Sequence, residues 1–176
     1  PSMGVYYDFD DVDAFTVGAI GQPGQRLFMF QARRGRELVT VKCEKQQAAA
    51  VAEYLRKLLN DLPPADDRPM PAALELTEPY DAAFVLGPIG LGYDRSTDRV
   101  VLQLDELVPV DDDDDDEIDS ALDDVDDRSR VRVFLTRGQV VALCEHAEAL
   151  VAAGRPPCMW CSLPIDPDGH ICPRMN

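Results

Sequence analysis

The stretch Phe15-Thr16-Val17-Gly18-Ala19-Ile20-Gly21 has a counterpart later in the chain, Phe84-Val85-Leu86-Gly87-Pro88-Ile89-Gly90. In each copy a polar turn follows, and then a second apolar run, at Leu27–Phe30 and at Val100–Leu104 respectively. β-Branched and aromatic residues bounded by Gly, Pro and Asp are typical of short strands. The repeated stretch therefore predicts two related units that each begin with a pair of strands.

Each unit is expected to continue with a third strand and a helix. The third strands are predicted at Glu37–Val41 and Val131–Leu135. The first helix is predicted from about Lys45 to Asn60, because its apolar residues recur with helical spacing. The second begins at Thr136, where a Gln three residues later completes a capping box. The sequence thus predicts an α+β fold of two tandem β-β-β-α repeats, which form an antiparallel sheet with the helices on one face.

Composition divides the chain into four parts. Residues 1–60 form the first repeat, and residues 61–73 a Pro-rich linker. Residues 74–154 form the second repeat, with an acidic insertion at residues 111–127. Residues 155–176 form a small C-terminal appendage that is rich in possible metal ligands.

The glycines that the two stretches share, Gly18 and Gly87, are interpreted as backbone requirements, either a positive φ or close contact between strands. Neither stretch matches a dinucleotide-binding or phosphate-loop fingerprint. The sequence also contains no Gly-x-Ser-x-Gly or His-Glu-x-x-His motif. The loop Gln22–Arg26 is the one polar loop that concentrates Gln and Arg in a glycine turn, which makes it a candidate functional loop. A plain hairpin connection without a function is the simpler interpretation.

Acidic residues are concentrated in one segment. Residues 111–127 hold twelve of the 33 acidic side chains and no Lys or Arg, in a chain of net charge −16. This run is interpreted as a solvated loop, or else as a docking site for a basic protein partner or a decoy for nucleic acid. Nucleic-acid binding is not expected, because no basic stripe is present.

No apolar run could span a bilayer, and five cysteines do not suit a secreted disulfide framework, so a cytoplasmic location is predicted.

The C-terminal appendage contains the ligands for one zinc ion. Cys158 and Cys161 have the spacing of a zinc knuckle, and His170 and Cys172 project to one side of an extended strand. These four residues predict a closed, structural zinc site. Asp166 or Asp168 in place of His170 would also supply a fourth ligand, whereas water at that place would leave a position open for catalysis. A reduced or disulfide-linked loop without metal is the other alternative. Trp160, between the knuckle cysteines, is interpreted as a packing anchor onto the main domain. Buried, inert thiols are expected at Cys43 and Cys144.

Three parts of the chain together resemble an actinobacterial family of uncharacterised proteins, the domain of unknown function numbered three thousand and ninety. They are the run Gly18–Phe28, the helix start at Glu44–Gln47 and the tail from Cys158 to Asn176. Ser162 departs from that family, in which Gly usually follows the knuckle. The resemblance implies a cytoplasmic protein with no assigned activity. It also implies a shared pathway with a lipid-kinase-like and a histidine-phosphatase-like protein, beside which family members are often encoded.

These features favour a zinc-binding protein that acts as a non-catalytic interaction or adaptor module. Its protein partner is expected to bind through residues 111–127 or through the zinc tail. The alternative is a metal-assisted hydrolase or a nucleotide-handling enzyme with its site between the two repeats.

Overall fold

The computed structural model describes residues 4–22, 25–108 and 128–153, in which seven strands and two α-helices form. The strands are β1 Tyr6–Phe9, β2 Ala14–Ile20, β3 Leu27–Arg34, β4 Glu37–Cys43, β5 Phe84–Asp94, β6 Arg99–Glu106 and β7 Arg130–Leu135. The helices are α1 Lys45–Asn60 and α2 Arg137–Ala152, and a single 3-10 turn covers Pro71–Leu74. None of the helices in these ranges is long and apolar enough to cross a membrane.

The strands form one mixed sheet in the order β1-β7-β6-β5-β4-β3-β2. The strands β2-β3-β4 are antiparallel to one another, and so are β5-β6-β7. However, β4 pairs with β5 in parallel, and β1 pairs with β7 in parallel. The prediction of an antiparallel sheet is therefore wrong at these two pairs. A parallel pair needs a long crossover connection, which α1 and the segment after it provide between β4 and β5.

The opposite edges of the sheet are joined by a link of only four residues, Asp10–Asp13, because β1 and β2 are consecutive in the chain. In a flat sheet these edges would lie about 29 Å apart, at about 4.8 Å per strand. The chain from Phe9 to Ala14 reaches about 19 Å at most, at about 3.8 Å per residue. The sheet must therefore curl until β1 and β2 come close together.

One face of the sheet packs against both helices in a single apolar core. Alternate residues of the strands point into this core, and α1 and α2 also pack against each other. The helices contribute Ala48, Val51, Ala52, Leu55, Val140, Leu143, Cys144 and Ala147. The capping box predicted at the start of α2 is confirmed, since Gln139 N donates to Thr136 Oγ1 at 3.0 Å and Thr136 N donates to Gln139 Oε1 at 2.9 Å.

The segment between α1 and β5, residues 61–83, crosses the other face of the sheet and is called the strap below. It first passes the start of α2, where Arg137 Nη1 donates to the carbonyls of Pro63 and Pro64, each at 2.7 Å. It then covers β2, β3 and β4, where Thr16 Oγ1 donates to Leu74 O at 2.7 Å. It reaches β5 where Ala83 N donates to Thr40 O at 2.7 Å. The residues predicted as a linker are thus part of a longer segment that packs on the sheet.

Candidate interaction surface

The predicted zinc ligands Cys158, Cys161, His170 and Cys172 lie outside the described residues, as do Trp160 and the acidic run 111–127. Within the ranges that the structure covers, no three His, Cys, Asp or Glu side chains are grouped to hold a metal ion. The zinc site therefore stays a prediction from the sequence.

The two cysteines of the main domain are buried, as predicted. Burial raises the pKa of the Cys43 thiol to about 12, with a smaller contribution from the neighbouring charge of Glu44. Burial likewise raises the pKa of Cys144 to about 11. The Cys144 thiol lies 3.6 Å from the Ala52 carbonyl of α1, to which it donates. Both thiols stay protonated at neutral pH, which suits a packing role.

Residues 23 and 24 of the loop Gln22–Arg26 also lie outside the described residues. At the flanks of this gap, Gln25 N donates to Gln22 O at 2.9 Å, and Gly21 adopts a positive φ of 105°. Arg26 donates to carbonyls at the carboxyl end of α2, that of Leu150 at 3.4 Å and that of Ala153, the residue after the helix. A cation at the carboxyl end of a helix is favourable, so Arg26 ties this hairpin to α2.

The strap covers β2, β3 and β4 but leaves the same face of the sheet partly exposed at β5, β6, β7 and β1. This exposed surface is called the open face. It consists of side chains that alternate with core residues along four strands. Its members are Tyr6 and Asp8 of β1, Gly90 and Gly92 of β5, Val101, Gln103 and Asp105 of β6, and Arg130, Arg132 and Phe134 of β7. This surface is not among the sites predicted from the sequence, although its alternation with buried residues is visible in β6 and β7.

The charges on the open face are paired. Arg130 Nε donates to Asp105 Oδ1 at 2.8 Å, and Arg132 Nη2 donates to Asp8 Oδ2 at 2.7 Å. Arg132 also lies with its guanidinium carbon 6.0 Å from the centroid of the Phe134 ring, within cation–π range. The surface is therefore locally neutral, although the chain carries a net charge of −16.

The open face has no side chains at Gly90 and Gly92, and exposed apolar residues lie at its rim. A Cβ built on Gly92 would meet nothing within 4 Å, and one built on Gly90 would only touch Gln103. At the end of β6, Leu107 N donates to Val85 O at 2.7 Å, and these two side chains are 56% and 44% exposed. The chain continues from this rim towards residues 111–127.

Two concavities lie elsewhere on the described residues. A groove of about 420 Å³ runs between α1 and α2, and its lining is mostly apolar. A more polar pocket, also of about 420 Å³, lies between the strap, the β1–β2 link and the start of α2. Its lining includes Asp13, Arg33, Asp67 and Thr136. Thr136 Oγ1 donates to Asp67 Oδ2 at 3.1 Å, and Asp13 Oδ2 accepts from Gly35 N at 2.7 Å.

Residues 7–172 match the model of a protein family that is described as "Protein of unknown function (DUF3090)". No curated protein and no solved structure matches the chain significantly. Because the match covers most of the sequence, including both helices and all of the described strands except Tyr6, the first residue of β1, the chain belongs to the DUF3090 family.

Proposed function

We propose that this protein is a cytoplasmic, non-catalytic interaction or adaptor module that binds a protein partner through the open face. The observation that carries the proposal is the open face itself, which is locally neutral and has exposed apolar side chains at its rim. Exposed apolar side chains that lie close together on a protein surface are typical of an interaction site.

The acidic residues 111–127 give this proposal its electrostatic part. They follow β6 and precede β7, the two strands that supply most of the open face. A partner with an apolar patch and an adjoining basic segment would complement both surfaces. The basic segment would speed association, while the apolar contact would supply most of the affinity.

The test is affinity capture from a lysate of the source organism, with wild-type protein, Val101→Arg and a variant lacking residues 111–127 as baits. A partner should be retained by the wild type, lost with Val101→Arg and weakened by the deletion. Its binding should also fall as salt rises. Ala50→Arg, a half-exposed position on α1, is the matched control and should retain the partner. Equal capture by all four baits would exclude the open face as the binding surface.

The zinc tail is the second part of the proposal. Cys158, Cys161, His170 and Cys172 are proposed to bind one structural zinc ion, because their number and spacing suit tetrahedral coordination. Elemental analysis after dialysis should give about one zinc per chain. Cys161→Ser should lose the metal while the sheet stays folded, and Ser162→Ala in the same tail should keep it. A wild-type protein without zinc would contradict the proposal.

We also propose that the two groups of three strands and a helix are copies of one unit. This is supported by the order of the elements and by the two matching glycines. Gly18 lies against Leu76 of the strap, and Gly87 lies against Leu107, so that a side chain would collide at either position. Superposition of residues 15–60 on residues 84–153, without residues 111–127, should place Phe15 on Phe84 and Gln47 on Gln139.

A second candidate function, an enzyme that handles nucleotides or hydrolyses a substrate with a metal ion, is favoured by the polar pocket. This pocket gathers residues from both halves of the chain, such as Asp13 and Gln139. Calorimetric titration with ATP and Mg²⁺ distinguishes the two functions. Saturable binding that Arg33→Ala abolishes would favour the enzyme. The absence of binding heat would favour the interaction module over the enzyme.

A further inference from the structure

The groove between α1 and α2 lies on the side of the helices that faces away from the sheet. Its walls come from the second half of α2 and the middle of α1, at Ala49, Ala52, Glu53, Arg56, Ala147, Glu148, Val151 and Ala152. Because the alanine side chains of this lining are small, a space of about 420 Å³ remains between the two helices. A bidentate ion pair between Arg56 and Glu148, with a shortest distance of 2.6 Å, bridges the two helices at the rim.

The groove opens where the described chain ends. Val151 and Ala152 line it, and they belong to the last turn of α2. Arg26 binds the carbonyl of Ala153, so the point at which the chain leaves the helix is held in place. The residues that follow therefore start at the mouth of an apolar groove.

The next part of the sequence carries apolar side chains suited to such a groove, at Met159, Trp160, Leu163 and Ile165. Seven residue steps separate Ala153 from Trp160, enough to reach about 24 Å in extended form. The groove itself is shorter, because Ala49 and Arg56 are about 10 Å apart along their helix at about 1.5 Å per residue. Any point of the groove is thus within reach of Trp160.

We propose that the chain's own tail, residues 154–176, binds in this groove and that the Trp160 side chain anchors it there. A buried tryptophan removes about 150–250 Å² from water, and its indole suits an apolar space with polar groups at the rim. A second copy of the chain fits less well, because two molecules of net charge −16 repel each other. This inference does not rest on the open face or on the proposed function, and it ties the tail to the main domain.

Trp160 is the only tryptophan of the chain, so its fluorescence reports on the tail alone. In the wild type its emission should be that of a buried indole, and acrylamide should quench it poorly. Ala49→Glu places a charge in the groove and should shift the emission to the red, with quenching several-fold stronger. Ala50→Glu is the matched control, since Ala50 is also half-buried on α1 but does not line the groove. It should leave the fluorescence unchanged.

A photoreactive phenylalanine analogue at position 49 provides a second measurement, which does not depend on a destabilising charge. Illumination should join position 49 to the peptide around Trp160 within one chain, and an analogue at position 50 should not. A bond to a second copy of the chain would make the groove a dimer interface, and a bond to another protein would make it a partner site. Either result would overturn the proposal, as would Trp160 emission of an exposed indole in the folded wild type.

Discussion

Gln31 connects the strap to the sheet through a single buried side chain. It stands between Thr16 and Thr40 on the face opposite the core, and all three are at least 97% buried. Its Nε2 donates to Thr77 O at 2.8 Å and to Thr40 Oγ1 at 3.1 Å, while its Oε1 accepts from Thr77 N at 2.8 Å. A primary amide can satisfy both backbone groups of Thr77 at once, which an apolar side chain cannot do.

Gln31→Met should therefore destabilise the protein by about 2–4 kcal/mol, because the N–H and the carbonyl of Thr77 lose their partners. Gln103→Met, on the open face, is the control and should change the free energy of unfolding by less than about 0.5 kcal/mol. Urea unfolding of the three proteins measures both effects. Equal losses would show that the strap does not depend on Gln31.

Because of the buried thiols, the free energy of unfolding should vary with pH in the alkaline range. Their folded pKa values, about 12 for Cys43 and about 11 for Cys144, exceed the ordinary value of 9.0. Below the ordinary value both thiols hold their protons in either state, so their contribution to stability is fully present. Above it the unfolded chain loses these protons first, and stability falls by up to about 1.4 kcal/mol per pH unit for each thiol.

Cys43→Ala should remove the contribution of one thiol to this pH dependence of stability. The free energy of unfolding, measured from about pH 8 to about pH 10.5, should fall less steeply for the variant than for the wild type, by up to about 1.4 kcal/mol per unit. The packing loss from the smaller side chain adds a constant offset that does not change with pH. Parallel curves would show that Cys43 ionises as readily in the folded state as in the unfolded state.

At the scale of the elements, the strap and β2 fit each other through Gly18 and Leu76. A Cβ at Gly18 would lie 2.6 Å from Leu76 Cδ1, which is closer than real side chains approach. At Gly92, on the open face, a Cβ would meet nothing within 4 Å. One strand glycine is thus required by a neighbour, whereas the other is not.

Gly18→Ala should cost about 1–3 kcal/mol through overpacking, whereas Gly92→Ala should be neutral or stabilising by up to about 1 kcal/mol. Leu76→Ala combined with Gly18→Ala relieves the collision, so the double variant should be more stable than the sum of the single effects implies. Denaturant unfolding in a double-mutant cycle measures this coupling. Strict additivity would mean that the strap does not press on Gly18.

Local patterns predicted the elements better than their arrangement. The helix at Lys45–Asn60, the third strand from Glu37 and the capping box at Thr136 follow from periodicity and end signals, and they are found as predicted. The strand Tyr6–Phe9 was missed, because its pairing partner lies far along the chain and four residues carry little pattern. Residues 61–73 are predicted as a linker but belong to the strap, and composition does not reveal this because they are held by backbone carbonyls, such as those of Pro63 and Pro64 that Arg137 binds.

For the candidate sites, the sequence predicted a zinc centre from residue types and spacing alone. It could not predict the open face, because exposure there depends on where the strap stops crossing the sheet. The local signal of that surface is the alternation of half-buried with buried residues in β6 and β7, for example at Val101 and Arg132.

At the scale of the whole molecule, most of the net negative charge lies in one segment of the sequence. Residues 111–127 carry −12, so the remainder carries −16 + 12 = −4. The core of the described residues is formed by the strands and by both helices, which lie before and after this run in the sequence.

Replacing residues 111–127 with a short glycine linker should therefore change the free energy of unfolding by less than about 1 kcal/mol, because the entropy of loop closure varies slowly with length. Circular dichroism and thermal unfolding of the variant and the wild type measure the effect at high and low salt. Loss of the cooperative transition would show that the acidic run is packed into the fold.

The pairing of β1 with β7 has a consequence for how the protein is made. Asp8 and Arg132 bind each other although 124 positions separate them in the chain. A ribosome that adds roughly 5–20 residues per second needs about 6–25 s to cover that distance. The strands β2, β3 and β4 and the helix α1 are translated within this interval, but β1 waits for its partner with Phe9 uncovered. β1 is translated before the other described strands but is thus among the last of them to pair, and it completes the described sheet only when β7 emerges.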